Sequence, residues 1–220
     1  MDVVHTWRDN YSADVVVLLE ETGFTGGLGY LLSNESGSPA YAFSLTRVQQ
    51  ASWTYTVIHE IGHNMGAHHH KDQTTQPGPG LFDYSAGGRW IGNDNERYCS
   101  VMTYQSGDYF DDGENHLRVS YFSDPNMNHQ GVPTGDADHA DNVRTLLFTK
   151  TVVSNYRVGN DIPENLAISS TTLITGTTDC FNATNTITVA GDGDVIIQSG
   201  ASAEFIAGQS IRFLPGFHAQ

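Results

Sequence analysis

Basic residues are scarce in this sequence. Lys and Arg total 10 against 25 Asp and Glu, a formal net charge of −15. A nucleic-acid binder needs a basic footprint to neutralise phosphates, and a helix seated among anionic lipids needs cationic flanks, so both classes are excluded. Long hydrophobic runs are missing as well: the longest, Val15–Leu19, is far short of the ~20 residues of a membrane-spanning helix. The opening residues Met1–His5 lack the basic and apolar stretches of a secretory signal, so an export signal is not expected within this sequence. With only two cysteines, Cys99 and Cys180, the chain is no disulfide scaffold, and whether these two form one bridge is left open.

What is there describes a folded, loop-rich protein. Hydrophobic residues make up 38% and there are 23 glycines in 220 residues, a composition that can form a core and demands many turns. That length allows one domain or two unequal ones.

Along the chain, Val3–Asn10 reads as a helix tail and Asp14–Glu20 as a strand whose unbroken apolar run predicts burial on both faces. A Gly-rich loop at Thr22–Gly29 precedes Tyr30-Leu31-Leu32, which could pair with that strand. Ala40–Val48 is a second strand, with Tyr41, Phe43 and Leu45 on one face. Helical spacing of Val57, Ile58, Ile61 and Met65 predicts a helix over 54–65, stopped by Gly66. Residues 71–135 read as irregular structure held by something other than regular packing, for which a bound metal would serve. A last helix is predicted over 137–156, with Asp136, Asp138 and Asp141 at its start and Val143, Leu146, Leu147, Thr151 and Val152 near one face. Residues 159–164 read as a linker.

One segment carries the chemistry: His59-Glu60-Ile61-Gly62-His63-Asn64-Met65-Gly66-Ala67-His68-His69. Residues four apart share a helix face, so His59 and His63 can aim both imidazoles at one ion. A glycine at 66 lets the chain turn back and bring His69 in as a third ligand. Three neutral nitrogens leave one tetrahedral position open to water, which distinguishes a catalytic zinc from a structural one. Glu60, beside the ion but directed to its solvent side, suits a base rather than a ligand. From the composition of the chain, roughly 10⁻⁴ chance matches to the five fixed positions are expected. His68 and His70 fall outside the ligand spacing and are assigned to the surface or the surroundings of the site.

This order of residues resembles the metzincin clan of zinc metallopeptidases, in particular the reprolysin-like bacterial, M12-like type. The resemblance implies a methionine turn under the three histidines, and Cys99-Ser100-Val101-Met102-Thr103-Tyr104 matches it. It also implies that Tyr104 approaches the zinc or stabilises the oxyanion, although a wall tyrosine is an equal reading of that residue. The segment Tyr121–Pro125 with Gly131–Gly135 resembles the stretch that walls the S1′ pocket. Two departures stand out: His70 occupies the place of the family's Asp, and most of the strand and long helix that usually open such a domain are absent.

The composition then shifts. Residues 165–220 contain Thr186–Val189, Val195–Gln198, Ala203–Ile206 and Ser210–Phe213, short alternating runs that predict an all-β module, either a repeated coil or a stacked meander. Its end, Ser210–Ala219, resembles β modules of secreted bacterial proteins, in which the chain continues further. The expected fold is therefore α+β. A metzincin-like catalytic domain over 1–158 would hold a small mixed sheet, an active-site helix and an irregular subdomain with a last helix; an incomplete β module over 165–220 would follow it.

The function expected is a zinc metalloendopeptidase acting on extracellular polypeptides, with Glu60 as general base, Tyr104 as a second catalytic group, His59, His63 and His69 as ligands and Met102 as the structural methionine. The implied setting is secreted or cell-surface, with the β module as an attachment. A non-enzymatic surface-binding protein and an inactive zinc-binding remnant are the alternatives. Asp111-Asp112-Gly113-Glu114 and Asp192-Gly193-Asp194 offer oxygens that could hold calcium, without the spacing of a known calcium loop, and read more simply as solvated acidic turns.

Overall fold

The computed structural model describes residues 2–21, 23, 25–51, 54–157 and 162–220. Thr22 and Phe24 of the expected Gly-rich loop, and residues 159–161 of the expected linker, lie outside them. The chain divides into two compact units, Met1–Val158 and Gly159–Gln220. Among the described residues no helix is long and apolar enough to cross a membrane.

The first unit begins with α1 (Asp2–Asn10) and a three-stranded sheet in the order β1-β3-β2. Strand β1 (Val16–Glu20) runs parallel to β3 (Phe43–Arg47), and β2 (Gly27–Gly29) runs antiparallel to β3. The sheet is mixed, as the sequence predicts, but its details differ. The partner of β1 is β3 rather than Tyr30–Leu32, and the third strand, Gly27–Gly29, two glycines and a leucine, pairs with β3 instead. As an edge strand β1 has one neighbour, and Leu18 and Leu19 are 54% and 53% exposed instead of buried on both faces. On β3 the buried face carries Ser44 and Thr46, because small hydroxyl side chains let α2 (Thr56–Asn64) approach closely, while Phe43 turns the other way to meet His5 with ring centroids 4.6 Å apart.

Helix α2 begins after Tyr55, which takes a left-handed conformation, and ends at Met65. Gly66 then has φ +87°, where a side chain would be strained, and the Ala67 N–H closes onto Gly62 O at 2.9 Å. The buried residues of α2 are Thr56, His59, Glu60, Gly62, His63 and Asn64, whereas Ile58 is exposed. The apolar stripe that predicts the helix is thus not its innermost face. The same inversion marks α3 (Asn142–Val153), which buries Asn142, Thr145, Thr149 and Val153 and leaves Leu147 exposed. It starts later than the predicted 137, because the Asp136 carboxylate accepts the N–H groups of Asp138 and His139 at 3.0 Å and turns the chain before the helix. Asp141 caps it by accepting from the Arg144 N–H at 2.9 Å.

Between the helices lie a small sheet of β4 (Arg89–Ile91), β5 (Arg97–Cys99) and β6 (Leu117–Arg118), and the two-stranded β7 (Asn128–His129) and β8 (Val132–Pro133). The apolar centre is Ala67, Val101 and Met102, packed by Phe122 and Leu146. Both cysteines are free thiols, Cys99 buried in the first unit and Cys180 exposed in the second. Of the acidic turn at 111–114, Asp112 pairs with Arg89 at 3.1 Å and Glu114 with Arg97 at 3.3 Å.

The second unit is all β. Strands β9 (Asn165–Ile168), β10 (Thr171–Leu173) and β11 (Thr178–Ala183) form one turn of a coil, β12 (Thr186–Val189), β13 (Val195–Ile197) and β14 (Ser202–Ala207) a second, and β15 (Ser210–Phe213) with β16 (Phe217–Ala219) a third. Every pairing is parallel, β9-β12-β15, β10-β13-β16 and β11-β14. A meander would pair sequence neighbours antiparallel, so the repeated-coil alternative is the one observed. Ile168, Ala183, Ile187, Val189 and Val195 fill its core, and Phe181 stacks on Phe205 from one coil to the next at 5.4 Å.

Candidate metal centre

His59 and His63 leave α2 on the face turned inward, and the reversal at Gly66 brings His69 against them. His59 Nε2 and His63 Nε2 each lie 3.1 Å from His69 Nε2, and the three side chains form a group able to hold one ion. The opposite nitrogen of each ring fixes the arrangement. Nδ1 of His59 donates to Val101 O at 2.9 Å, Nδ1 of His63 to Ala67 O at 3.0 Å and Nδ1 of His69 to Gln76 O at 2.8 Å. A neutral imidazole with its proton on Nδ1 has a bare lone pair on Nε2, so three lone pairs point at one another with no proton between them. Such an arrangement is repulsive until a cation fills it, and three neutral imidazole nitrogens with carbonyl-held outer edges suit zinc.

Electrostatics point the same way. Burial holds His59 well below its ordinary pKa and brings His63 to about 3 and His69 to about 4, with the neighbouring imidazoles adding to the effect. The rings are therefore neutral and ready to ligate at physiological pH.

Glu60 is buried on the same helix. Burial pushes its carboxyl up to about 7, while the charge of Arg118 draws it back down. The side chain fits because β2 passes over it as glycine. A Cβ on Gly27 would stand 2.7 Å from Glu60 Cδ, and one on Gly29 would stand 2.8 Å from Glu60 O. Tyr104 is half-buried with its ring centroid 4.8 Å from that of His69 and 6.4 Å from that of His59, and its hydroxyl reaches Gln76 Oε1 at 3.5 Å.

Met102 is fully buried beneath α2, and a Cβ on Gly62 would meet its Sδ at 2.8 Å. The turn it occupies is tied to the metal site by Val101 O, the acceptor for His59. His68 and His70 aim elsewhere: His68 Nδ1 accepts the His69 N–H at 2.7 Å, and His70 packs on Phe110 at 5.7 Å.

Three supporting residues carry no motif. Gln73, 2% exposed, accepts the Tyr104 N–H at 3.2 Å and donates to Thr75 O at 2.7 Å, linking the chain after His69 to the methionine turn. Asn142, at the start of α3, holds the His68 backbone through both N–H and C=O, at 3.3 and 3.0 Å. Arg118 donates from Nε and Nη2 to Thr103 O at 3.0 and 2.8 Å. Lone polar residues in irregular sequence give no periodic signal; only the alternate glycines at 27 and 29 could have been read as a close approach.

The profile of metallo-peptidase family M12 matches residues 1–123, more than half of the chain and the part that holds all three histidines. The chain belongs to that family. The M12 chain is 34% identical over 158 residues to the peptidyl-Asp metalloendopeptidase of Stenotrophomonas maltophilia (strain R551-3), covering 71% of this chain and 35% of that protein. It is 35% identical over 158 residues to the protein of the same name from Xanthomonas campestris pv. campestris, covering 71% and 34%, and 28% identical over 178 residues to that of Pseudomonas aeruginosa, covering 70% and 28%. The M12 chain thus spans about a third of the length of these relatives. A chain in a solved structure described as "Structure of a chaperone-substrate complex" shares the fold at a TM-score of 0.50 and 18% identity, over 72% of this chain and 23% of that one.

Proposed function

We propose that this chain is the catalytic part of a zinc metalloendopeptidase, with His59, His63 and His69 holding the metal, and that it prefers bonds flanked by aspartate, as the name peptidyl-Asp metalloendopeptidase says of its relatives. The observation that carries the reading is the convergence of three Nε2 atoms, with Glu60 buried on the same helix next to His59. The finer architecture proposed is that of a metzincin, with Met102 as the apolar support beneath the histidines.

Zinc, when bound, supplies Lewis acidity that polarises the scissile carbonyl and acidifies the attacking water. Glu60 takes the proton from that water and returns it to the departing amine. Its position on the turn of α2 that bears His59, buried and confined by Gly27 and Gly29, suits a group that accepts a proton and gives it up again. Tyr104, half-buried beside His69, offers a hydroxyl to the developing oxyanion. The exposed edge of β2, whose far side is free of pairing among the described strands, offers backbone groups to an extended peptide. The same reading places the protein outside the cell or on its surface, with the β coil as the attachment.

The test is hydrolysis of casein by the chain and by Glu60→Ala, each with its zinc content measured. The expected result is one zinc per chain in both and cleavage by the parent only. Equal cleavage by Glu60→Ala, or a zinc-loaded parent that cleaves nothing, overturns the reading.

A further inference from the structure

Cations are few in this chain, and several are spent on carboxylates: Arg89 on Asp112 at 3.1 Å, Arg97 on Glu114 at 3.3 Å and Arg157 on Asp9 at 2.5 Å. Arg118 is not. Its hydrogen bonds go to neutral groups: two to Thr103 O, one from Nη1 to Thr54 O at 3.4 Å, and one to the Cys99 thiol. Among the described residues no carboxylate lies within ion-pairing distance of it. A guanidinium has five N–H donors in a rigid fork, so these bonds leave donor capacity over.

The position of this guanidinium, which has no direct ion pair, is specific. Thr103 follows Met102 and Thr54 precedes α2 by two residues, so the guanidinium is clamped between the methionine turn and the start of the helix that bears His59 and Glu60. From there it acts electrostatically on Glu60, Tyr104, His59 and His69 together. A half-buried cation that feels Glu60 only at a distance and has no carboxylate in direct contact gains from an anion brought against it. The need for a local cation also follows from the net charge. At −15 the molecule repels acidic segments at long range, so selection of an acidic side chain must be made at short range by one basic group.

We infer that Arg118 is the specificity residue of the site: its guanidinium receives the side-chain carboxylate of an aspartate flanking the scissile bond. The planar fork suits a carboxylate better than an ammonium would. The inference rests on the peptidase reading given above.

The experiment measures kcat/KM of the zinc-loaded full chain on matched peptides that differ only in one Asp, Asn or Ala, with the cleaved bond located by mass spectrometry. In parallel, the affinity of the Asp and Asn peptides for the zinc-free chain is measured by fluorescence anisotropy. The parent is expected to prefer Asp over Asn by at least ~30-fold in kcat/KM and to bind the Asp peptide more tightly without metal. In Arg118→Gln both ratios fall toward one, and in Arg118→Glu the preference shifts to a peptide with Lys at that position. Should Arg118→Gln fail to fold by circular dichroism, Arg118→Lys takes its place, with an Asp-to-Asn ratio reduced but still above one.

A purely bracing role for Arg118 lowers cleavage of all peptides together and leaves the Asp-to-Asn ratio unchanged. That result overturns the inference, as does a parent that cleaves Asp and Asn peptides equally. A parent that cleaves no peptide at all, casein included, overturns the peptidase reading with it.

Discussion

The carboxylate of Glu60 lies directly against the Cα of Gly27: a Cβ there would stand 2.7 Å from Glu60 Cδ and collide with Oε1. The second glycine of β2, Gly29, faces the same helix and would bring a Cβ 3.1 Å from Oε2. The edge strand and the base are therefore fitted to each other, and the two strand positions that face the helix, 27 and 29, are glycine.

Gly27→Ala is expected to displace Glu60 without touching the histidines. A misplacement of ~1 Å in a reacting group costs about 10²-fold, so kcat/KM should fall by about that factor while zinc content stays at one per chain. Steady-state kinetics beside metal analysis checks it; an alanine variant with parental kcat/KM shows that the strand does not confine the base.

Removal of metal is expected to destabilise the first unit. Three facing lone pairs in a buried site repel one another, and a ligand that binds only the native state stabilises it by about 4 kcal/mol at a thousand times its dissociation constant. Chelation should lower the thermal midpoint and re-addition of zinc should restore it. His63→Ala should show the lower midpoint with or without zinc, and a chelator-insensitive parent counts against the site.

Asn142→Ala should cost about 1–3 kcal/mol, because the His68 N–H and C=O that Asn142 satisfies are left without partners. The segment it steadies leads into His69, so zinc affinity should fall as well. Denaturant unfolding and competition with a zinc chelator read the two effects; a variant with parental stability and affinity contradicts the assigned role.

Cys99 is expected to react only after unfolding. Burial pushes its thiol up to about 12, so at pH 8.5 iodoacetamide should modify Cys180 alone in the native chain and both cysteines in denaturant. The same shift sets a pH dependence. Between the ordinary thiol value and about 12 the unfolded chain loses a proton that the folded chain keeps, so stability falls as pH rises, by up to about 1.4 kcal/mol per unit. Cys99→Ala should show a shallower decline over that window, and an identical slope in parent and variant would exclude the linkage.

The local residue pattern by itself determined what depends on short spacing. His59 and His63 share a face because a helix repeats every 3.6 residues, Gly66 ends the helix because it alone takes positive φ cheaply, and strands such as Thr186–Val189 and Ser210–Phe213 follow from alternation. Tertiary structure decided which faces turn inward. The apolar residues of α2 and α3 mark each helix, yet the faces buried deepest carry Thr, His, Glu and Asn, because partners distant in sequence satisfy them: Val101 O for His59, Met65 O for Thr149 and the His68 backbone for Asn142. Burying a polar group costs free energy that a hydrogen-bonding partner offsets. That pairing joins positions tens of residues apart, and no local period in the chain encodes it.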